Sequence, residues 1–195
     1  MKTKSIMLSL VFVLISSMLF AQTTEWKFDK SHSKIQFVTT HMQISEVTGQ
    51  FKEYSGTIKA SSDDFTNAEI EVTIPVKSVD TDNEKRDGHL MGEDFFNAEK
   101  YPEIKFKSES LEKISGEDYK MTGKLTIKDV TKTVEFDVKY KGTVEAMGKT
   151  IAGFKVTGTI DRFDYNVDWD RSFGKGLIVG KKVDIKADVE LVKAE

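Results

Sequence analysis

The chain contains no cysteine. That excludes a disulfide framework, a thiolate metal site, a thiol nucleophile and a lipobox acylation site. Histidine is scarce, at His32, His41 and His89; no two are spaced as H-x-x-x-H, and no carboxylate pattern completes a metal motif around them. Neither a G-x-S-x-G nucleophile elbow nor a glycine-rich phosphate loop is present. The basic residues form no stripe, since 29 lysines and arginines are interspersed with 32 acids. Nucleic acid and an anionic membrane patch are therefore excluded as partners. The sequence implies no cofactor and no metal, and gives catalysis no positive support.

One long apolar run exists, over residues 6–20, preceded by Lys2 and Lys4 and followed by Ala21-Gln22. It is shorter than the roughly 20 residues that span a bilayer and reads as a secretory signal peptide over 1–21. A periplasmic or secreted protein with no stable membrane insertion after cleavage is the expectation. Cleavage removes two lysines and no acid, moving the formal charge from −3 to −5 and leaving 174 of 195 residues. That length suits a single domain over 22–195, able to bury roughly 70% of its unfolded surface.

From Trp26 onward the sequence alternates with a period of two. Ile70, Val72, Ile74 and Val76 point one way while Glu69, Glu71, Thr73 and Pro75 point the other. The same alternation recurs through Ile35/Phe37, Ile104/Phe106, Leu125/Ile127, Val134/Phe136/Val138/Tyr140, Phe154/Val156/Gly158/Ile160 and Val183/Ile185/Ala187/Val189/Leu191. Eight or more strands result, with long ones at 50–60, 131–143 and 181–192. Short turn signals at 115–118, 128–129 and 147–149 favour antiparallel neighbours. Only 83–94 has room for a helix, which excludes a βαβ architecture. The expectation is an all-β, antiparallel eight-stranded barrel with a short helical insert capping an apolar cavity. A β-sandwich shares the strand signature and stays open.

The insert reads R-D-G-H-L-M-G-E-D-F-F-N-A-E-K-Y-P-E-I-K-F over 86–106. Leu90, Phe95 and Phe96 would face oil, and Arg86, Asp87 and His89 water. Thirteen phenylalanines, most of them beyond the signal peptide, and two tryptophans make the inward set rich in large groups, but composition alone does not separate a filled barrel from a hollow one. Gly49, Gly56, Gly123, Gly142 and Gly158 permit a curved wall.

The chain resembles the YceI-like family of secreted, isoprenoid-binding, lipocalin-like barrels. The resemblance rests on Asp29-Lys30-Ser31-His32-Ser33 (D-x-x-H-S), His41 with Val47-Thr48-Gly49-Gln50-Phe51 (V-x-G-x-F) and Arg86-Asp87-Gly88-His89-Leu90 with Asp94-Phe95-Phe96 (R-D-x-H-L…D-F-F). It continues through Tyr101-Pro102-Glu103-Ile104-Lys105-Phe106, Gly123-Lys124-Leu125-Thr126-Ile127 with Val130-Thr131, and Asp161-Arg162-Phe163-Asp164-Tyr165. The matches run in order from about Trp26 to Leu191. Asp129 stands where the family usually has glycine and Thr133 where proline is common; aspartate tolerates left-handed turn geometry, so the hairpin is not threatened. Residues 169–176 match no family pattern.

The resemblance implies a non-enzymatic lipid-binding barrel that holds a polyisoprenoid or isoprenoid quinone in an apolar tunnel. Its wall would be Phe37, Phe51, Ile58, Ile70, Val72, Ile74, Leu90, Phe95, Phe96, Ile104, Phe106, Leu125, Ile127, Phe136, Val138, Phe154 and Val156. His41 is either a turn residue or a group at the cavity mouth, and His89 belongs to the cap. Arg86 and Asp87 either orient a lipid head or pair within the protein to pin the cap, and Arg162 is expected to find a carboxylate in the same way. Two rivals remain: an enzyme acting on a hydrophobic substrate with His41 or His89 as general base, and a filled barrel that binds a protein partner. A homodimer through an edge or rim stays open, although no self-complementary apolar stripe lies outside the inward set.

Overall fold

The computed structural model describes residues 23–174 and 176–194. The signal-peptide reading of 1–21 falls outside them. Thirteen strands and one α-helix follow in the order β1 (Thr24–Phe28), β2 (Lys34–His41), β3 (Ser45–Phe51), β4 (Ser55–Ala60), β5 (Glu69–Pro75), β6 (Val79–Asp80), α1 (Glu84–Met91), β7 (Glu103–Ser115), β8 (Asp118–Ile127), β9 (Val130–Ala146), β10 (Lys149–Asp161), β11 (Ser172–Phe173), β12 (Gly176–Leu177) and β13 (Val179–Lys193). Eight strands, in the order β1-β4-β5-β7-β8-β9-β10-β13, close on themselves through a β1–β13 pairing, all antiparallel. Closure removes the sheet edges that an open sheet would expose.

The alternation read from the sequence is what sorts residues to the two faces. Along β8 the buried positions are Tyr119, Met121, Gly123, Leu125 and Ile127, while Asp118 and Lys124 are exposed. Outward charges pair across strands, as Lys120 with Asp137 and Lys107 with Glu71. Such exposed pairs are each worth ~1 kcal/mol or less. The β9–β10 hairpin turns on Met147 and Gly148, both at positive φ, the arrangement that matches the twist of the flanking strands. In the β8–β9 turn the left-handed residue is Lys128, φ 54. Aspartate at 129 is therefore not the residue that bears the strain; its carboxylate accepts instead from Asn166 Nδ2 at 3.3 Å.

One expected strand is divided. The run 50–60 breaks between Phe51 and Ser55, and Tyr54 turns inward there to donate its hydroxyl to Ser33 O at 2.9 Å. The neighbouring line breaks too, between β1 and β2. The far part of β13 pairs β1 and its near part pairs β2, so the sheet forks; β2, β3 and β6 continue it towards the other end. The D-x-x-H-S segment is the splice at this fork. Asp29 N donates to Glu190 O at 2.9 Å, Glu190 N donates to Ser33 Oγ at 2.9 Å, and His32 Nδ1 donates to Asp29 Oδ2 at 3.0 Å.

The Asp29–His32 contact holds the carboxyl below its ordinary 3.8, through the imidazole and then the Ser31 amide. The carboxylate, and secondarily Glu190, holds the imidazole above its ordinary 6.5. The His32 contribution to stability is complete below pH 6.5 and is lost as pH rises through the raised value. That of Asp29 is complete above pH 3.8 and is lost as pH falls through the lowered value. Replacing Asp29 by asparagine is expected to bring the His32 pKa back towards 6.5 in an NMR titration; an unmoved pKa would disprove the pairing in solution.

Candidate functional site

The barrel has a floor and a capped end. At the floor Phe65, from the loop between β4 and β5, is driven inward to 1% exposure despite a φ of 61. Its ring meets Trp26 at 4.9 Å, Phe154 at 4.9 Å and Tyr140 at 5.6 Å. A left-handed phenylalanine is unfavourable on its own, and this aromatic packing is what holds it.

The capped end is built from α1 and the turns that follow it. Asn83 starts the helix by accepting from Arg86 N at 3.0 Å, a standard N-cap. Arg86 and Asp87 both grip buried Thr81 rather than each other. Arg86 donates from Nε to Thr81 Oγ1 and from Nη2 to Thr81 O, both at 2.7 Å. Asp87 Oδ1 accepts from Thr81 N at 2.9 Å and from the Thr81 hydroxyl at 2.6 Å. Leu90 and Phe95 then face inward, and His89 stands edge-on to Phe95 and Trp169 while donating from Nε2 to Asp94 at 2.9 Å.

Between floor and cap the inward rings leave the middle of the barrel unfilled. A lower chamber of about 160 Å³ is lined entirely by apolar side chains, among them Phe28, Ile58, Phe65, Phe106, Phe154 and Leu191. An upper chamber of about 140 Å³ adjoins it at a waist formed by Ile35, Ile74, Leu125, Phe136 and Ile185, residues that line both. Above it a mouth pocket of about 220 Å³ shares Phe37, Thr39, Leu90, Phe95 and Val179 with the upper chamber and adds Thr40, His41, Arg86, His89 and Trp169. Polarity thus increases from floor to rim, the ordinary layout of a site for an apolar ligand with a polar end.

Glycines keep this lumen open. A Cβ at Gly49 would lie 2.2 Å from Phe37, at Gly56 2.9 Å from Phe28, at Gly123 2.5 Å from Phe106, and at Gly158 2.4 Å from Phe136. Each ring lies in the space that a neighbour's side chain would fill, flat against the wall instead of across the barrel.

Every wall residue expected from the sequence lines one of the three cavities. Ile58, Ile70, Val72, Phe106, Val138, Phe154 and Val156 line the lower chamber; Phe51, Phe96, Ile104 and Ile127 the upper; Ile74, Leu125 and Phe136 the waist; Phe37, Leu90 and Phe95 the upper chamber and mouth; His41, Arg86 and His89 the mouth. Among those missed were Val183, Ile185, Val189 and Leu191 of β13, whose alternation was plain, Ile35 at the waist, Phe28, and also Phe65 and Trp169. A lone large apolar residue in the polar loop around Phe65 was a usable signal. Trp169 was counted among the large inward residues, but nothing in its local sequence placed it at the mouth.

Arg162 corrects an expectation. It is 5% exposed and lies beside the upper chamber, held by four backbone carbonyls rather than a carboxylate: Gly180 and Val179 at 2.9 Å, Trp169 at 2.8 Å and Val167 at 2.6 Å. Burial lowers its pKa and Asp161, Asp168 and Asp170 oppose that from a distance. The guanidinium ties the segment carrying Trp169 to the start of β13. Tyr165 also faces this chamber, its hydroxyl pushed up to about 12 by burial, so it stays neutral at physiological pH.

A closed antiparallel barrel with an apolar lumen, a plugged floor and a polar mouth belongs to the lipocalin-like class of ligand-holding barrels. The chain is a member of the YceI-like family, whose domain model matches residues 26–191. It is 32% identical over 175 residues to the UPF0312 protein SA2479 of Staphylococcus aureus, covering 88% of this chain and 99% of that one. The crystal structure of the Campylobacter jejuni YCEI protein is 36% identical and superposes with a TM-score of 0.70, covering 80% of this chain and 90% of the other. A polyisoprenoid binding domain from Saccharophagus degradans, 15% identical, shares the fold at a TM-score of 0.62 over 87% of this chain and 98% of its own.

Two variants test the capped end. Arg162→Ala strands buried carbonyls and is expected to destabilise the protein by about 3 kcal/mol in urea unfolding, with Trp169 fluorescence shifting red. Asp87→Ala removes two bonds to Thr81 and should raise amide exchange in α1 well above that in β8, as hydrogen exchange followed by mass spectrometry would show.

Proposed function

We propose that this protein is an exported, non-enzymatic carrier that holds a polyisoprenoid or isoprenoid-quinone-type lipid, tail in the two chambers and head at the mouth, within a periplasmic or extracellular compartment. The single observation that carries the reading is the file of cavities, apolar at depth and polar only at the rim. Membership of the YceI-like family supports it, as does the polyisoprenoid binding described for a neighbour of the same fold. Burying ten methylene equivalents supplies a gross driving force of about 8 kcal/mol before association costs, so the tail alone can retain the ligand. Arg86, His41 and His89 then place the head, with donors that suit a phosphate or a quinone carbonyl. Arg86 keeps its Thr81 bonds in this role, because its guanidinium has five donors and those bonds use two.

The test is native mass spectrometry of the protein purified from its own host, with the lipid identified after organic extraction. A co-purifying species with isoprenoid mass spacing is expected; protein that is consistently empty would overturn the reading. Leu90→Asp sets an uncompensated carboxylate in the passage between mouth and upper chamber. It should cut lipid recovered per protein by roughly tenfold while circular dichroism stays that of the barrel.

A further inference from the structure

The shared wall between the two chambers carries a single aromatic ring. Among the five residues that line both chambers, Phe136 is the one aromatic. Strand β9 sets it beside Gly158 of β10, continuing the register Val156↔Val138 and Thr157↔Asp137. A Cβ at Gly158 would lie 2.4 Å from Phe136 Cδ1 and 3.0 Å from Cε1. On its other side the ring meets Phe106 at 5.7 Å, and Phe106 is itself seated over Gly123. The space left by Gly158 is therefore what keeps Phe136 on the wall.

The chamber sizes give this ring a consequence. Cavities of about 140 and about 160 Å³ are each comparable to a core cavity that admits one benzene-sized group. As the chambers stand, a branched five-carbon unit fills one of them. A short tail is held by the mouth and the upper chamber, whereas a longer one has to cross the waist.

Resting on the lipid-binding reading above, we infer that the Phe136–Gly158 pair sets how long a prenyl tail this protein accepts: with glycine at 158 the ring lies back and the tail reaches the lower chamber, and any side chain at 158 drives the ring into the waist and confines the ligand to the upper one. The remaining waist residues are aliphatic and carry no ring. Phe136 is bounded by Phe106 on one face and by the Gly158 backbone on the other, so its place is set by whether position 158 carries a side chain.

The experiment measures affinities of the full chain for a two-unit and a four-unit prenyl alcohol, each displacing a fluorescent apolar probe. Gly158→Ala is expected to lower the ratio of four-unit to two-unit affinity by roughly tenfold. Adding Phe136→Leu to that variant, which leaves no ring to be displaced, should restore the ratio. An unmoved ratio in Gly158→Ala, or a fall that Phe136→Leu does not reverse, overturns the inference while the lipid-binding reading stands. Wild type that captures neither alcohol overturns that reading and the inference with it. Should Gly158→Ala fail to fold, Phe136→Trp decides, since a ring larger than the space over Gly158 must enter the waist and lower the ratio, and an unchanged value refutes the pair's role.

Discussion

A phenyl ring seated over a glycine on the neighbouring strand is the contact on which the lumen depends. An eight-stranded barrel is narrow enough for inward side chains to fill it, and this one carries rings at Phe28, Phe37, Phe106 and Phe136 along that inward side. Pointing straight in, they would make an ordinary core. Because Gly56, Gly49, Gly123 and Gly158 offer no Cβ, the rings fold down onto the sheet and stay packed without crossing the axis. Glycine normally weakens a strand; here a ring covers the exposed backbone and restores the lost contact.

The two ends of the barrel are held by different means. The lower end closes through complete strand pairing and through the aromatic cluster around Phe65. At the upper end β2, β3 and β6 diverge from the ring, and buried polar groups take over. Thr81 is gripped by Arg86 and Asp87, and four carbonyls converge on Arg162. These bonds are satisfied and directional, which suits an end that must keep its shape around an opening without filling it.

The fold was legible because alternation survives in nearly every strand, and face assignment follows from parity once one face is known. Where parity failed, tertiary contacts had decided. The run 50–60 reads as continuous, but Tyr54 leaves the strand to reach Ser33 on the adjoining segment, a partner twenty-one positions away that no local pattern discloses. Phe65 sits in a polar loop without periodicity, and its role as a plug exists only once Trp26, Tyr140 and Phe154 are brought around it. Arg162 was misread for a related reason. Charge pairing can be anticipated from nearby acids, whereas four carbonyls converging from 167–180 are a property of the folded backbone alone. The glycines were visible as candidates for curvature; which ring each one accommodates depends on register.

The ring cluster around Phe65 gives the barrel two unlike poles, one packed with aromatic side chains and one lined by His41, Arg86 and His89. On the carrier reading proposed above, a guest would enter and leave past Trp169, since Phe65 and Trp26 pack together at the opposite pole. Loading and unloading would then be a single motion run in two directions, with the same rim presented to source and to destination. Delivery between two facing surfaces would require it to let go of the first, tumble freely, and arrive at the second rim-first.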